Sequence, residues 1–305
     1  TTSLDGGYLY TIPLMERSIL MRYDQYAKTF AVAGGQVFRD TLSPDEDSGW
    51  YLLGGGRVRK EVQISLLLRR PNYLAAHMIR NVINERFGPN TANAISPAEI
   101  RLKIPARFRR QKVRFLQLVQ VLYLADNQTL REKHIQKELE QLRTGSDKLA
   151  AELSLEAFGK PALDRIAPLL ADTDPKVRFY AARCMLNIGD DRPVPVLSDF
   201  CKRPDSPFRL EAIETLGQAA RRKDAEPVLI SVLESEDIRV RLAAYRQLSN
   251  LNSFIISRSA VADSFTVDRV YCGGPKFIYV FRQERPGIVI FGSPVHCGPS
   301  VYIRS

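Results

Sequence analysis

The chain has 305 residues, of which 45% are hydrophobic and 26% are charged, a composition typical of a folded protein with two or three domains. Its longest apolar stretches fall far short of the roughly 20 residues that a membrane-spanning helix needs, so no transmembrane segment is predicted. The formal net charge of +10 says little about the fold, and it indicates either a solvated basic surface or an anionic partner.

Residues 1–56 are predicted to form a β-rich N-terminal segment. Gly6–Leu14 and Tyr26–Ala33 contain many aromatic and β-branched residues, and the second strand is expected to end in a turn at Gly34 and Gly35. No charged region followed by an apolar region opens the chain, so Thr1 does not begin a secretory signal. We therefore expect the protein to continue upstream of Thr1.

An α+β pattern follows in residues 57–125. Apolar residues alternate over 62–68 and again over 100–104, which predicts two half-buried strands. Between them, Pro71-Asn72 and Gly88-Pro89 are expected to bound a helix, and a second helix is predicted around 115–122. The apolar stripe of the first helix is expected to comprise Leu74, Met78, Ile79, Val82 and Ile83.

The densest basic cluster lies at the start of the second helix. It comprises Arg107, Arg109, Arg110, Lys112 and Arg114. The cluster is either a solvated surface or a patch for nucleic acid, an anionic glycan or an acidic partner protein. Nucleic acid is the weakest of these interpretations, because aromatic residues do not interleave at stacking intervals and no phosphate-binding glycine loop occurs.

Residues 126–262 are predicted to form a block of repeated helix pairs. A charged helix over 126–146 is either a linker or the first helix of the block. Three similar segments follow, and their arginines, Arg178, Arg209 and Arg241, are spaced by 31 and 32 residues. Small alanines align as well, at positions 181, 212 and 244. This period predicts an α-solenoid that resembles HEAT repeats, and such solenoids bind protein partners more often than they perform chemistry.

The aligned arginines have two structural interpretations. They are either solvated helix caps or ion-pair partners of the acidic residues nearby. The acidic candidates are Asp174, Asp205 and Asp237.

A β-hairpin is predicted after the repeats, from strands 276–282 and 287–291. With its turn centred between Glu284 and Arg285, the numbers of cross-strand partners sum to 569. Cys272 and Cys297 would then lie opposite each other, which predicts a disulfide and therefore an oxidising compartment. Cys184 is expected to be a small core residue. No cofactor or metal site is predicted, because CxxC is absent and no His lies at ligand spacing.

A lone hairpin is marginally stable in water, so it needs a sheet to join. We expect it to complete the sheet that begins near Val62. The predicted fold class is therefore α+β, a mixed sheet-and-helix unit interrupted by an α-solenoid of HEAT-like helix pairs. Its predicted domains are the β-rich segment 1–56, a discontinuous α+β domain of 57–125 with 263–305, and the repeat insertion 126–262.

Several segments outside the repeats resemble the bacterial flagellar P-ring protein family, and they occur in the family's order. They are TTSLDGGYLYTIPL at 1–14, YAKTFAVAGG at 26–35, RPNYLAAHMIRNVINERFGP at 70–89, IRLKIP at 100–105, VRFLQLVQVL at 113–122 and IYVFRQERPGIVIFGSPV at 278–295. The sequence departs from the family at Ile12, where Thr usually precedes the proline, and in the inserted repeats.

The resemblance implies a non-catalytic structural subunit of a periplasmic ring around the rod of the flagellar motor. Its implied partners are further copies of itself, other flagellar basal-body proteins and the peptidoglycan layer. The alternative hypothesis is a HEAT-repeat adaptor that binds a peptide or an acidic partner protein. An enzyme is disfavoured, because the three His are scattered and no nucleophile motif such as GxSxG occurs.

Overall fold

The computed structural model describes residues 64–124, 127–261, 265–281 and 287–293, together with the backbone of five strands before residue 59. Two compact units divide the chain near residue 64.

The N-terminal unit contains a sheet built around one long strand. Its strands are β1 (Tyr8–Tyr10), β2 (Leu14–Met15), β3 (Thr29–Arg39), β4 (Trp50–Leu52) and β5 (Gly56–Val58). The central β3 pairs antiparallel with each of the other four. The predicted turn at Gly34 and Gly35 is wrong, because β3 continues through both glycines and pairs them with Tyr10 and Leu9 of β1. Glycine tolerates an extended backbone, and the ladder satisfies its polar groups.

The second unit opens with a small α+β element. It comprises β6 (Ile64–Leu67), α1 (Tyr73–Phe87), β7 (Ala92–Ala94), β8 (Glu99–Leu102), a 3₁₀ turn (Ala106–Phe108) and α2 (Lys112–Gln120). The three strands form one sheet in the order β6-β8-β7. Both strands and both helices predicted for this region are therefore present, and the short strand β7 is an addition that the sequence pattern did not reveal.

Helix α1 begins and ends where the sequence predicts. The side chain of Asn72 accepts a hydrogen bond of 3.0 Å from the amide of Ala75, and Gly88 follows the helix with a φ of 112°. Its buried face differs from the predicted stripe, because Leu74 is 70% exposed and Met78 is 44% exposed. Of the predicted stripe, Ile83 is fully buried, and the other buried positions are Ala76 and Phe87.

An aromatic cluster explains which face of α1 is buried. The ring of Phe87 lies 5.7 Å from that of Phe108 and 5.2 Å from that of Phe115, measured between centroids, and both contacts are edge-to-face. Edge-to-face contacts are favourable because the positive edge of one aromatic ring meets the negative face of the other. The cluster draws the C-terminal end of α1 onto α2 and leaves the N-terminal end outside the core.

A stack of helix pairs follows, in agreement with the predicted repeats. Its helices are α3 (Gln128–Thr144), α4 (Lys148–Phe158), α5 (Leu163–Ile166), α6 (Pro175–Ile188), α7 (Val194–Lys202), α8 (Arg209–Ala219), α9 (Arg222–Val232) and α10 (Ile238–Asn250). Pro168 follows α5, and the chain continues there as a 3₁₀ turn. The aligned alanines 181, 212 and 244 are fully buried, which lets neighbouring helices approach closely.

The chain closes with a four-stranded sheet. Its strands are β9 (Ile256–Val261), β10 (Phe265–Val270), β11 (Phe277–Phe281) and β12 (Gly287–Phe291), in the order β11-β12-β10-β9. β11 and β12 form the predicted hairpin, and β12 pairs parallel to β10. Val270, Val289 and Phe291 belong to the same buried cluster as Leu248 of α10.

The prediction that the hairpin joins the sheet near Val62 is wrong. Within the described residues, β11 and β12 belong to the sheet of β9 and β10, and β6, β7 and β8 form a separate sheet. The physical reason is the last helix of the stack, whose apolar face needs a cover that no further repeat supplies. The boundaries of the predicted domains stay a prediction, but the described strands of 57–125 and those of 263–305 do not share a sheet.

The hairpin register also differs from the expected one. Phe277 pairs with Phe291 and Phe281 with Gly287, so partner numbers sum to 568 rather than 569. A shift of one residue turns a side chain to the other face of a sheet, so the predicted register no longer supports the Cys272–Cys297 bridge. Cys272 forms no disulfide with another described cysteine, and Cys297 lies outside the described residues. The bridge itself stays a prediction, which mass spectrometry under non-reducing conditions tests.

Candidate functional site

The predicted basic cluster is distributed over several settings. Arg109 and Lys112 are exposed to solvent. The guanidinium group of Arg107 lies over the ring of Phe108, 4.7 Å from its centroid, which is a cation–π geometry. Arg110 and Arg114 instead contact the repeat block. The cluster therefore contains two freely solvated cations and three that are engaged within the molecule.

The segment from Arg110 to Arg114 crosses one layer of the helical stack. Nη2 of Arg110 donates a hydrogen bond of 3.1 Å to the backbone oxygen of Asn250, the last residue of α10. The Gln111 side chain donates to that of Gln218 in α8, and Arg114 reaches α4. One short segment thus contacts three helices, so part of the repeat surface is already occupied by the chain itself.

The contact with α4 is a buried ion-pair network. Arg114 donates to Glu152 at 2.6 Å and also to Glu156, and both of these carboxylate side chains are completely buried. Arg183 of α6 forms a bidentate pair with Glu152 from the other side. Because bidentate guanidinium–carboxylate pairs fix geometry as well as charge, this network sets the position of α2 on the first repeats.

Arg86 of α1 provides a second link to the same place. It donates to the backbone oxygens of Glu156 and Ala157, at 2.9 Å for the second, and thereby caps the end of α4. Gly159 follows with a φ of 74°, and a Cβ atom there would lie 3.0 Å from Nε of Arg86. The glycine is required both for the left-handed backbone and for the close approach of this arginine.

Burial governs the protonation of the acidic and thiol groups in this region. It raises the pKa of the Glu156 carboxyl, although Arg114 acts in the opposite direction. Burial also raises the pKa of the Cys184 thiol, helped by the charges of Glu156 and Glu152. A thiol that stays protonated is a poor nucleophile, so Cys184 behaves as the core residue that the sequence predicted.

The aligned arginines of the first two repeats cap the element before them. Nη1 of Arg178 donates to the backbone oxygens of Asp172 and Thr173, at 2.7 and 3.0 Å. Nε of Arg209 donates to the backbone oxygen of Cys201 at 2.9 Å. Neither arginine is bonded to the acidic residues suggested by the sequence pattern. Asp174 caps the N-terminus of α6 instead, through the amide of Lys176.

The third aligned arginine, Arg241, has a different role. It is completely buried and donates to the backbone oxygen of Pro275 and to the sulfur of Cys272. Its guanidinium carbon lies 4.7 and 5.1 Å from the ring centroids of Phe277 and Phe291. The aligned position that caps the preceding element in the other two repeats therefore ties the terminal sheet to α10 in this one. Asp237 again caps its own helix, through the amide of Arg239.

A groove of about 650 Å³ opens at the boundary between the α+β element and the first repeat. We call it the junction groove. Its walls are the outer side of α1, residues 122–124, the start of α3 and residues 157–161. Of the described residues that line it, four are cations (Arg86, Arg107, Arg131 and Lys160) and one, Glu85, is acidic. Much of the remaining wall is apolar, so the groove combines positive charge with a hydrophobic surface.

The described residues contain neither a cluster suited to a metal ion nor a helix suited to a bilayer. No group of three or more His, Cys, Asp or Glu side chains is arranged to hold a metal ion there. No helix in the same part of the chain has the length and hydrophobicity needed to cross a bilayer.

Sequence reasoning missed the partners of Arg114. Glu152 and Glu156 stand one turn apart on α4, a helix that is otherwise largely apolar. Two acidic residues at that spacing in an apolar helix could have indicated a buried ion pair, because buried carboxylates require cationic partners. Arg183 and Arg86 carried no comparable signal, since arginine is frequent throughout the chain.

Comparison with known proteins separates the chain into two parts. Residues 1–133 match the family model for the flagellar P-ring protein. Residues 135–216 and 200–265 match the model for HEAT repeats. The resemblance inferred from the sequence is therefore confirmed for the first part, and the helical-repeat prediction for the second. The hairpin segment 278–295 lies outside both matches, so its resemblance to the P-ring family stays a prediction.

Curated relatives agree with the first match. The flagellar P-ring protein of Thermotoga maritima is 33% identical over 134 residues, which cover 39% of this chain and 38% of that protein. The corresponding protein of Thermotoga petrophila is 31% identical over the same length and coverage. That of Pseudothermotoga lettingae is 26% identical over 145 residues, or 42% of this chain and 41% of that protein. The chain thus spans about two fifths of the length of these relatives.

Proposed function

We propose that this protein is a non-catalytic structural subunit of a flagellar ring similar to the P-ring, located in the periplasm. The observation that supports the proposal most is the match of residues 1–133 to the P-ring family. The partners of the subunit are further copies of itself and other basal-body proteins, with the peptidoglycan layer as a surrounding support.

The repeat block adds a protein-interaction module to that subunit. Solenoids of stacked helix pairs present extended surfaces to protein partners. Here the block is fastened to the P-ring-like part through Arg114, Arg86 and Arg110. An interaction made by the repeats is thereby transmitted directly to the α+β element rather than through a flexible linker.

Ring assembly is tested with the purified protein over a wide concentration range. Analytical ultracentrifugation and negative-stain electron microscopy are expected to show closed rings of many copies. A chain that remains monomeric at high concentration, with and without other basal-body components, would contradict the ring proposal. Fractionation of cells that express the whole gene tests the location, and recovery with the cytoplasmic proteins would contradict it.

A second candidate function is that of a helical-repeat adaptor that binds a peptide or an acidic partner. The junction groove favours it, because it offers a concave, cationic and partly apolar surface on the first repeat. A stable monomer that captures such a partner would distinguish the adaptor from the ring subunit.

A further inference from the structure

The cations of the junction groove surround its opening. Arg107 precedes α2, Arg131 lies on α3, and Lys160 follows α4, so three separate elements contribute one positive charge each. Among the described residues, none of the three forms a salt bridge, whereas Arg86 is already engaged by backbone oxygens. Among the described lining residues Glu85 is the one that is acidic, against four cations, so this part of the opening carries a net positive charge.

Apolar side chains form the rest of the wall. Met78 and Leu124 are 44% and 42% exposed, and Leu122, Phe158 and Pro161 lie beside them. Exposed apolar surface within a concave site is a frequent mark of ligand binding. A fitting ligand therefore carries both carboxylates for the rim and hydrophobic side chains for the wall.

The aromatic residues of the groove do not favour nucleic acid. Single strands bind by stacking their bases on free aromatic faces. The ring of Tyr123 lies 4.3 Å from that of His134 and 6.0 Å from that of Phe158, so its surface is already used within the protein. An acidic peptide needs no stacking surface, and its side chains supply charge and apolar area together.

We propose that the junction groove binds an acidic, partly hydrophobic segment of a partner protein. The carboxylates of the segment contact Arg107, Arg131 and Lys160, and its apolar side chains contact Met78, Leu124 and Phe158. The volume of about 650 Å³ lies within the range of sites that enclose small ligands or a few side chains. This inference depends on the interaction role proposed for the repeat block, and it is independent of ring assembly.

The probe is a short fluorescein-labelled peptide in which Asp and Glu alternate with Leu and Phe. Its fluorescence anisotropy is measured against increasing protein at physiological salt, under conditions where light scattering reads assembly separately. We expect saturable binding that weakens by about tenfold or more in the double variant Arg131→Glu/Lys160→Glu, because two attractive pairs become repulsive. The variant Leu124→Ser is expected to weaken binding as well, since it removes apolar contact.

The matched control is Arg109→Glu/Lys112→Glu, which changes the net charge equally at exposed cations outside the groove. Binding within about twofold of the unchanged protein is expected there, because surface charges far from a contact are screened. Equal losses in both double variants, or no binding of the acidic peptide, would overturn the proposal. So would an oligothymidylate that binds more tightly than the peptide with the same dependence on Arg131 and Lys160. Far-UV circular dichroism confirms that each variant is folded.

Discussion

Arg114 forms the buried ion pairs that hold α2 of the α+β element against α4 of the repeat block. Its replacement by Met is expected to lower the free energy of unfolding by about 3–5 kcal/mol, because Glu156 loses its guanidinium partner while remaining buried. Urea unfolding followed by far-UV circular dichroism measures this change. Lys112→Met on the same helix is the control, and its effect should stay within about 0.5 kcal/mol since that side chain is exposed. A change in the free energy of unfolding for Arg114→Met as small as that for Lys112→Met would show that the ion pairs contribute little.

Asp268 gives the terminal sheet a dependence on pH. The carboxylate accepts hydrogen bonds from the Tyr245 hydroxyl at 2.6 Å and from Arg258 at 2.7 Å. Burial alone would raise the pKa of Asp268, but the bonds from Arg258 and Tyr245 and the charge of Arg258 outweigh it, so this pKa lies below its usual value. The folded state therefore binds this proton more weakly than the unfolded state does.

Stability from Asp268 is consequently present above the unfolded pKa of about 3.9 and is lost as the pH falls through the folded value. The variant Asp268→Asn lacks the titrating group. As the pH is lowered from about 5, the urea midpoint of this variant should therefore fall less steeply than that of the unchanged protein. Parallel pH profiles for the two proteins would contradict this assignment. The other carboxylates titrate in both proteins, so their contribution cancels when the two slopes of urea midpoint against pH are compared.

At the scale of whole elements, Arg241 decides whether the terminal sheet stays on α10. Arg241→Ala is expected to cost about 2–4 kcal/mol, because it leaves a cavity beside Phe277 and Phe291 and an unpaired oxygen at Pro275. Hydrogen exchange of the amides in β10 and β12 should accelerate more than exchange in α6. Arg178→Ala is the matched variant at the equivalent repeat position, and it should affect only the neighbourhood of α6. Faster exchange confined to α10 in Arg241→Ala would contradict a role in holding the sheet.

The elements that the sequence predicted correctly are those with local signals. Asn72 and Gly88 bound α1 by capping, and the arginine and alanine repeats define the solenoid through spacing alone. Strand β10 was missed because one of its buried positions holds a charged residue, which breaks the apolar alternation. That residue is Asp268, which is bound there by Tyr245 and Arg258. Without β10, the hairpin had no visible partner nearby, and its pairing was assigned to the wrong sheet.

The junction site was beyond sequence reasoning for a similar reason. The basic cluster was visible, but which of its members are engaged depends on Glu152 and Asn250, which lie far along the chain. Contacts of that sequence separation follow from the packing of the stack, and no local pattern encodes them. The sequence therefore shows which residues are cationic, but only the tertiary structure shows which of them pair within the protein and which remain exposed.

For the whole molecule, the division into two compact units gives a prediction about cooperativity. Trp50, the single tryptophan of the chain, lies in β4 of the N-terminal unit, whereas the described helices all lie beyond residue 64. Tryptophan fluorescence and far-UV circular dichroism therefore report different units, and their urea transitions are expected not to coincide. Arg114→Met should shift the dichroism transition and leave the fluorescence transition in place, because the network that it disrupts belongs entirely to the second unit. Coincident transitions that move together in this variant would show that the chain unfolds as one cooperative body.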